Sequence, residues 1–139
     1  MSSPEWTQRL ATLEKDGWAL ESGEERHALY GEKFWIPTRA EREDLRPGQA
    51  VRLLFQLEAV DDDGKVEVGV ERMWAIVLEK AGEIYCAVLD NQPAGVEPGY
   101  LDEGTEFLFR AEHVIDIGDP PENYVLEKYG HRLPPGRAG

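Results

Sequence analysis

Trp74, Asp90, Asn91 and His113 are the residues of this 139-residue chain whose types could do proton chemistry or grip a ligand. A carboxylate and an imidazole can share general acid–base work, provided that they stand within hydrogen-bond reach of one another. One reading of the chain is therefore a small-ligand or hydrolytic cleft around these four. The stretch "VLDNQP" that holds Asp90 and Asn91 has a simpler reading as well. Asx side chains bond back to their own backbone at turns, and Pro93 cannot continue a central strand. The stretch thus reads first as a strand ending in a turn.

Other chemistries find little support. Serines occur only at positions 2, 3 and 22, without a nucleophile elbow. Cys86 falls on a predicted strand face with Ile84 and Val88, which makes it a small buried hydrophobe. His27, His113 and His131 are far apart in sequence, and no H-x-x-x-H or C-x-x-C spacing is present. On a strand, Glu112 and Asp116 would point away from His113. The "DDDGK" run lacks the distal glutamate of a calcium loop, so it reads as a hairpin turn. No metal, cofactor or catalytic residue is assigned.

The elements that position these residues follow from periodicity. Ser3 and Pro4 predict a helix start, with Trp6, Leu10 and Leu13 as one stripe ending near Gly17. Residues 22–34 predict a second helical patch with Ala28 and Leu29 on its apolar side. Thr38 and Glu41 form a capping box ahead of a short helix broken at Pro47-Gly48. From residue 50 the period becomes two. Val51, Leu53, Phe55 and Leu57 share a face; after the turn at Asp63-Gly64, so do Val66, Val68, Val70, Arg72, Trp74, Ile76 and Leu78. A turn at 80–83 leads to a strand with Ile84, Cys86 and Val88 on one face and Tyr85, Ala87 and Leu89 on the other. Residues 105–117 read as one further β segment. Glu71 with Arg72, and Glu106 with Arg110, read as cross-strand ion pairs. "LRPGQAVRLLFQL" and "LDEGTEFLFRAEHVI" echo one another, each as a tight Gly turn feeding a strand.

Short turns between consecutive strands imply an antiparallel sheet. The expected fold is α+β, with N-terminal helices packed on a strongly curved antiparallel sheet, a meander or partial barrel. Residues 1–123 are expected to form a single domain. Residues 124–139 read as a Pro/Gly-rich tail whose last half-dozen residues are disordered.

Charge narrows the partners. The chain has 28 acidic and 15 basic residues, net −13. Residues 58–122 hold 17 acidic and 4 basic residues, so this section carries the whole surplus. Phosphate-mediated nucleic-acid binding needs a Lys/Arg footprint and is disfavoured. No apolar run reaches the ~18 residues of a membrane span, and a single cysteine fits a reducing cytoplasm. An acidic surface serves solubility, or it complements a basic protein partner. The acidic candidates are Asp61, Asp62, Asp63, Asp102, Glu103 and Glu106, with Tyr100 as a possible aromatic anchor. Oligomeric state is left open.

The runs "VERMWAIVLEKAGEIYCAVLDNQP" and "YLDEGTEFLFRAEHVIDI" resemble a family of small uncharacterised bacterial proteins, a domain of unknown function. The matching positions are Glu71, Arg72, Trp74, Leu89, Asp90, Asn91, Pro93, Gly104, Phe107 and His113, and the resemblance covers about residues 34–117. Gln92 departs from it, since that position is often acidic in relatives. Relatives are associated with bacterial toxin systems in an immunity role. The resemblance brings no catalytic residues with it; the acidic section 58–122 and the lack of an assembled catalytic set make the leading expectation a non-enzymatic binding protein, an immunity-type or accessory factor that occludes a basic partner.

Overall fold

The computed structural model describes residues 9–94 and 101–134. Among them, four short α-helices accompany a six-stranded antiparallel sheet curled into a half-barrel, the α+β architecture expected. In chain order these are α1 (Leu13–Asp16), β1 (Trp18–Glu21), α2 (Gly23–Tyr30), α3 (Arg39–Glu43), β2 (Ala50–Val60) and β3 (Val66–Ala81). Then come β4 (Ile84–Leu89), β5 (Glu106–Arg110), β6 (Val114–Gly118) and α4 (Glu122–Tyr129).

Strand β2 organises the sheet. One of its edges pairs with β3 along its whole length. The other is divided: β6 lies opposite residues 50–53 and β1 opposite residues 54–57. The path runs β2-β3-β4-β5, and a 3₁₀ turn, Ala111–His113, then returns the chain to β2 through β6. That return curls the sheet.

The alternation read from β2 holds. Val51, Leu53, Phe55 and Leu57 face inward with Met73, Ala75 and Val77 of β3, Tyr85, Ala87 and Leu89 of β4, and Phe107 and Phe109 of β5. Phe107 meets Trp18 and Phe55 edge-on at 5.8 and 5.5 Å, and Tyr85 stacks on Phe109 at 5.0 Å. The outer face is covered in two places. Val125 and Tyr129 of α4 lie over Ile76, Leu78, Cys86, Val88 and Leu108, and Phe34 lies over Leu54 and Ile115. Strand β4 is therefore buried on both faces.

The two echoing Gly turns are equivalent in structure. Gly48 and Gly104 both have φ +96°, a conformation that only glycine adopts readily. Gly48 N–H donates to Val77 O at 2.8 Å and Gly104 N–H to Leu89 O at 2.8 Å. Val77 and Leu89 return their own N–H groups to Gln49 O and Thr105 O. Each turn thus hooks onto the strand beside the one it feeds.

Four expectations need correction. The first helix is confined to α1, ending at Gly17 (φ 77°) as predicted. Residues 9–12 are non-helical because the Asp16 carboxylate accepts the Thr12 N–H at 2.8 Å and pairs with Arg9 at 2.6 Å; the start at Ser3 lies outside the described residues. Helix α2 does not pack through Ala28 and Leu29, both exposed (Leu29 76%). It packs through Gly23, where a Cβ would stand 2.7 Å from Ile115 Cγ2. Residues 105–117 are two strands rather than one, split by the 3₁₀ turn. Finally, residue 124 opens no bare tail, because α4 runs through it and buries Val125 and Tyr129. The end of the expected disordered tail lies outside the described residues.

The predicted capping box at Thr38 and Glu41 is present and starts α3. The next residue, Arg42, is 5% exposed and joins three elements. Its guanidinium donates to Glu24 of α2 at 2.7 Å, to Ala111 O of the 3₁₀ turn at 2.9 Å and to Pro37 O at 2.9 Å.

Candidate functional site

Asp90 follows the last residue of β4 and is the centre of a polar cluster. Its N–H donates to Trp74 O at 2.9 Å, and Trp74 N–H donates to Asn91 Oδ1 at 2.5 Å. The Asn91 side chain thus stands in for a backbone carbonyl and extends the β3–β4 ladder by one rung. This differs from an Asx turn, since the bond crosses to the neighbouring strand. Trp74 itself is half-buried, with the Arg52 guanidinium 5.7 Å from its ring centre.

The Asp90 carboxylate, only 14% exposed, faces α4. It accepts from Tyr124 Oη at 2.8 and 2.9 Å, from Tyr129 Oη at 2.5 Å and from Lys128 Nζ at 3.0 Å. Lys128 continues to Glu103 at 2.8 Å and lies over both tyrosine rings. Helical spacing explains this convergence: Tyr124 and Lys128 share one face as an i,i+4 pair, and Tyr129 borders it. The bonds to Glu103 and then Asp90 hold the Lys128 ammonium well above the usual lysine range. Burial first, and then the bond to Asp90, push the Tyr129 phenol up. Every donor around Asp90 therefore keeps its proton firmly. The cluster clamps α4 to the sheet, and its chemistry is that of a fastener.

His113 is elsewhere. In the β4–β5 register Arg110 pairs with Ile84, while Asp90 lies beyond the opposite end of β4. Six residues of extended chain separate Ile84 from Asp90, about 20 Å. Trp74, Asp90 and Asn91 are thus brought together, and His113 is not among them. His113 is buried, its Nδ1 accepts the Arg110 N–H at 2.9 Å, and burial with help from Arg110 pushes its pKa down to about 4. It is a neutral acceptor that holds the 3₁₀ turn between β5 and β6.

The acidic candidates divide into two groups. Glu103 pairs with Lys128, Glu106 is held by two 2.6 Å bonds from Arg132, and Asp102 accepts from Gln92 at 3.2 Å. Glu106 thus takes Arg132 rather than the expected Arg110. Arg72 likewise makes no ion pair with Glu71, and its guanidinium lies 5.3 Å from the Phe34 ring centre. Asp61, Asp62 and Asp63 instead form the tip of the β2–β3 hairpin, and among the described residues no cation pairs with them. The Asp61 carboxylate accepts the N–H groups of Asp63 and Lys65 at 2.9 and 2.8 Å, as a hairpin turn requires. Tyr100 lies outside the described residues.

That hairpin projects beyond the core. Residues 58–70 are all exposed, whereas Leu57 just before them is buried. The cross-strand pairs Val60↔Val66 and Glu58↔Val68, followed by Gln56↔Val70, put four valines in one row on the outer face. These valines are 45–67% exposed. The shared face read from the sequence is real, but its valine half meets solvent and only Ile76 and Leu78 are covered by α4. The arm was missed because alternation marks a face without saying what covers it.

Fold and surface together define an α+β half-barrel with a clamped C-terminal helix and a projecting acidic arm. Comparisons with protein-family models, with curated proteins and with solved structures gave no match. Among the described residues no three His, Cys, Asp or Glu side chains converge as a metal site would require, and no helix is long and apolar enough to cross a membrane.

Proposed function

We propose that this protein acts by binding, as an immunity-type or accessory factor whose β2–β3 arm occludes a basic protein partner. The observation that carries the reading is the exposed row Val60, Val66, Val68 and Val70 on an arm bearing Glu58, Asp61, Asp62, Asp63 and Glu67. Apolar residues left in water at 45–67% exposure gain from being covered, at about 25 cal/mol per Å² buried. Carboxylates around the row keep the free arm soluble and select a partner of opposite charge. Occlusion needs shape and charge complementarity and no chemistry of its own. The motif resemblance to toxin-associated bacterial proteins supports the same reading.

The test is capture from a lysate of the source organism by the wild-type protein and by a variant with Asp61, Asp62 and Asp63 all changed to Lys. The expected result is a basic protein retained by the wild type at low salt, released near 1 M salt and absent from the variant, since screening shortens from ~10 Å at 0.1 M to ~3 Å at 1 M. Identical retention by both proteins would overturn the proposal.

A further inference from the structure

A second feature of the outer face does not depend on the arm. The valine row of β3 runs on to Arg72 and Trp74, and opposite Trp74 on β2 stands Arg52. Over this point the segment after α2 lays Lys33, Phe34 and Trp35, leaving a cavity of about 260 Å³ that Arg52, Arg72 and Asp116 also line. In a chain of net charge −13, three cations therefore meet at one small cavity.

None of these three makes an ion pair among the described residues. Both guanidiniums lie over aromatic rings instead, Arg52 over Trp74 and Arg72 over Phe34. Stacking fixes a guanidinium plane while leaving its in-plane N–H donors available. The Arg52 Nε is buried with no hydrogen-bond partner, so that donor is desolvated and still open. Asp116, the cross-strand neighbour of Arg52, is the carboxylate in the wall among the described residues, and its Oδ1 already accepts the Ile117 N–H at 2.9 Å. Trp35, 64% exposed, offers an uncovered indole beside the cations. A larger cavity among the described residues, about 490 Å³ near α2 and α3, differs in this respect. There Arg39 pairs with Glu43 at 2.8 Å, and Lys80 donates to Glu43 O at 2.5 Å.

We infer that the cavity formed by Lys33, Trp35, Arg52 and Arg72 is a binding site for a small aromatic carboxylate. The carboxylate meets the open donors of the two guanidiniums, and its ring lies on Trp35. A phosphate dianion is a poorer fit. Among the described residues no α-helix N-terminus lines the cavity, and Asp116 and the chain's net charge oppose a dianion about twice as strongly as a monoanion.

Phenylacetate, neutral phenylacetamide and inorganic phosphate are the probes, titrated into the full chain and followed by NMR of the indole N–H and arginine Nε–H signals. Phenylacetate should shift the Trp35 and Arg52 signals in a saturable way. Phenylacetamide should bind at least tenfold more weakly. Arg72 is exposed, so Arg72→Gln should leave the fold intact and weaken phenylacetate at least tenfold. No saturable shift at millimolar phenylacetate, equal binding of acid and amide, or tighter binding of phosphate would each overturn the inference. An arm variant with Asp61–Asp63 reversed should bind phenylacetate at least as well as the wild type; loss of binding there would also count against a separate site.

Discussion

Burial of His113 makes stability depend on acid in a way that one substitution can isolate. In the folded chain the imidazole titrates at about 4, against 6.5 when exposed, because it is buried and lies near Arg110, with Glu24 opposing weakly. Its folded pKa is thus depressed. Between pH 6.5 and 4 the unfolded chain binds a proton that the folded chain refuses, so stability falls as pH falls through that window. Linkage gives about 2 kcal/mol lost between pH 7 and pH 5, rising to about 3 by pH 4. Carboxylates titrate over the same range, so the wild-type curve alone decides nothing. In His113→Asn, Oδ1 sits close to where Nδ1 was, retains the bond from Arg110 N–H and cannot titrate. Urea unfolding from pH 4 to 8 should give curves for the two proteins that converge or cross, with the wild type steeper by about 1.2 kcal/mol per pH unit near pH 5. Parallel curves, or an imidazole NMR titration near 6.5 in the folded protein, would refute the reasoning.

Two further outcomes follow from the polar clusters. Asp90→Asn removes the charge that α4 closes upon. The part-buried Tyr129 bond should account for about 1.5–3 kcal/mol and the exposed Lys128 bridge for under about 1. A stability loss of about 2–4 kcal/mol in urea is expected, and a double-mutant cycle with Tyr129→Phe should show coupling above about 0.5 kcal/mol; additive effects would remove Asp90 as the clamp. Arg42→Met keeps the stem but leaves the Pro37 and Ala111 carbonyls without their donor, so about 3 kcal/mol should be lost, and a melting temperature within about 2 °C of wild type would contradict that role.

Sequence reasoning reached as far as local rules reached. The capping box at Thr38, the stop at Gly17, the turn at Asp63-Gly64 and the alternation of β2 each depend on neighbours within a few residues, and each is where expected. The echo between the Gly48 and Gly104 turns was visible for the same reason. What escaped depends on distant partners. "FLFRAEHVID" alternates like one strand, and only His113 folding back onto the Arg110 N–H breaks it. Pro121 and the glycines after Tyr129 made the C-terminal segment look like a tail. Its i,i+4 pairs Val125–Tyr129 and Tyr124–Lys128 were the available sign of a helix with one buried face and one polar face. Asp90 and Asn91 stood out by type, yet their partners, Tyr124 to Tyr129 and the Trp74 backbone, lie too far along the chain for spacing to reveal.

The clamp also changes how the net charge should be read. Residues 58–122 carry the acidic surplus, but part of it is matched within the molecule. Lys128 is held between Asp90 and Glu103, and Arg132 is held by Glu106 with Glu79 3.9 Å away. Two cations near the C-terminus thus quiet the carboxylates around β4 and β5 while fixing α4 over Ile76 and Leu78. On the arm, by contrast, the basic residue is Lys65, and its contact with Glu67 is a loose 3.9 Å between two exposed side chains. Glu58, Asp61, Asp62 and Asp63, beside the exposed valines, are held by no cation among the described residues. On the proposed reading, the charge that would draw a basic surface thus lies on the same arm as the apolar area left to cover.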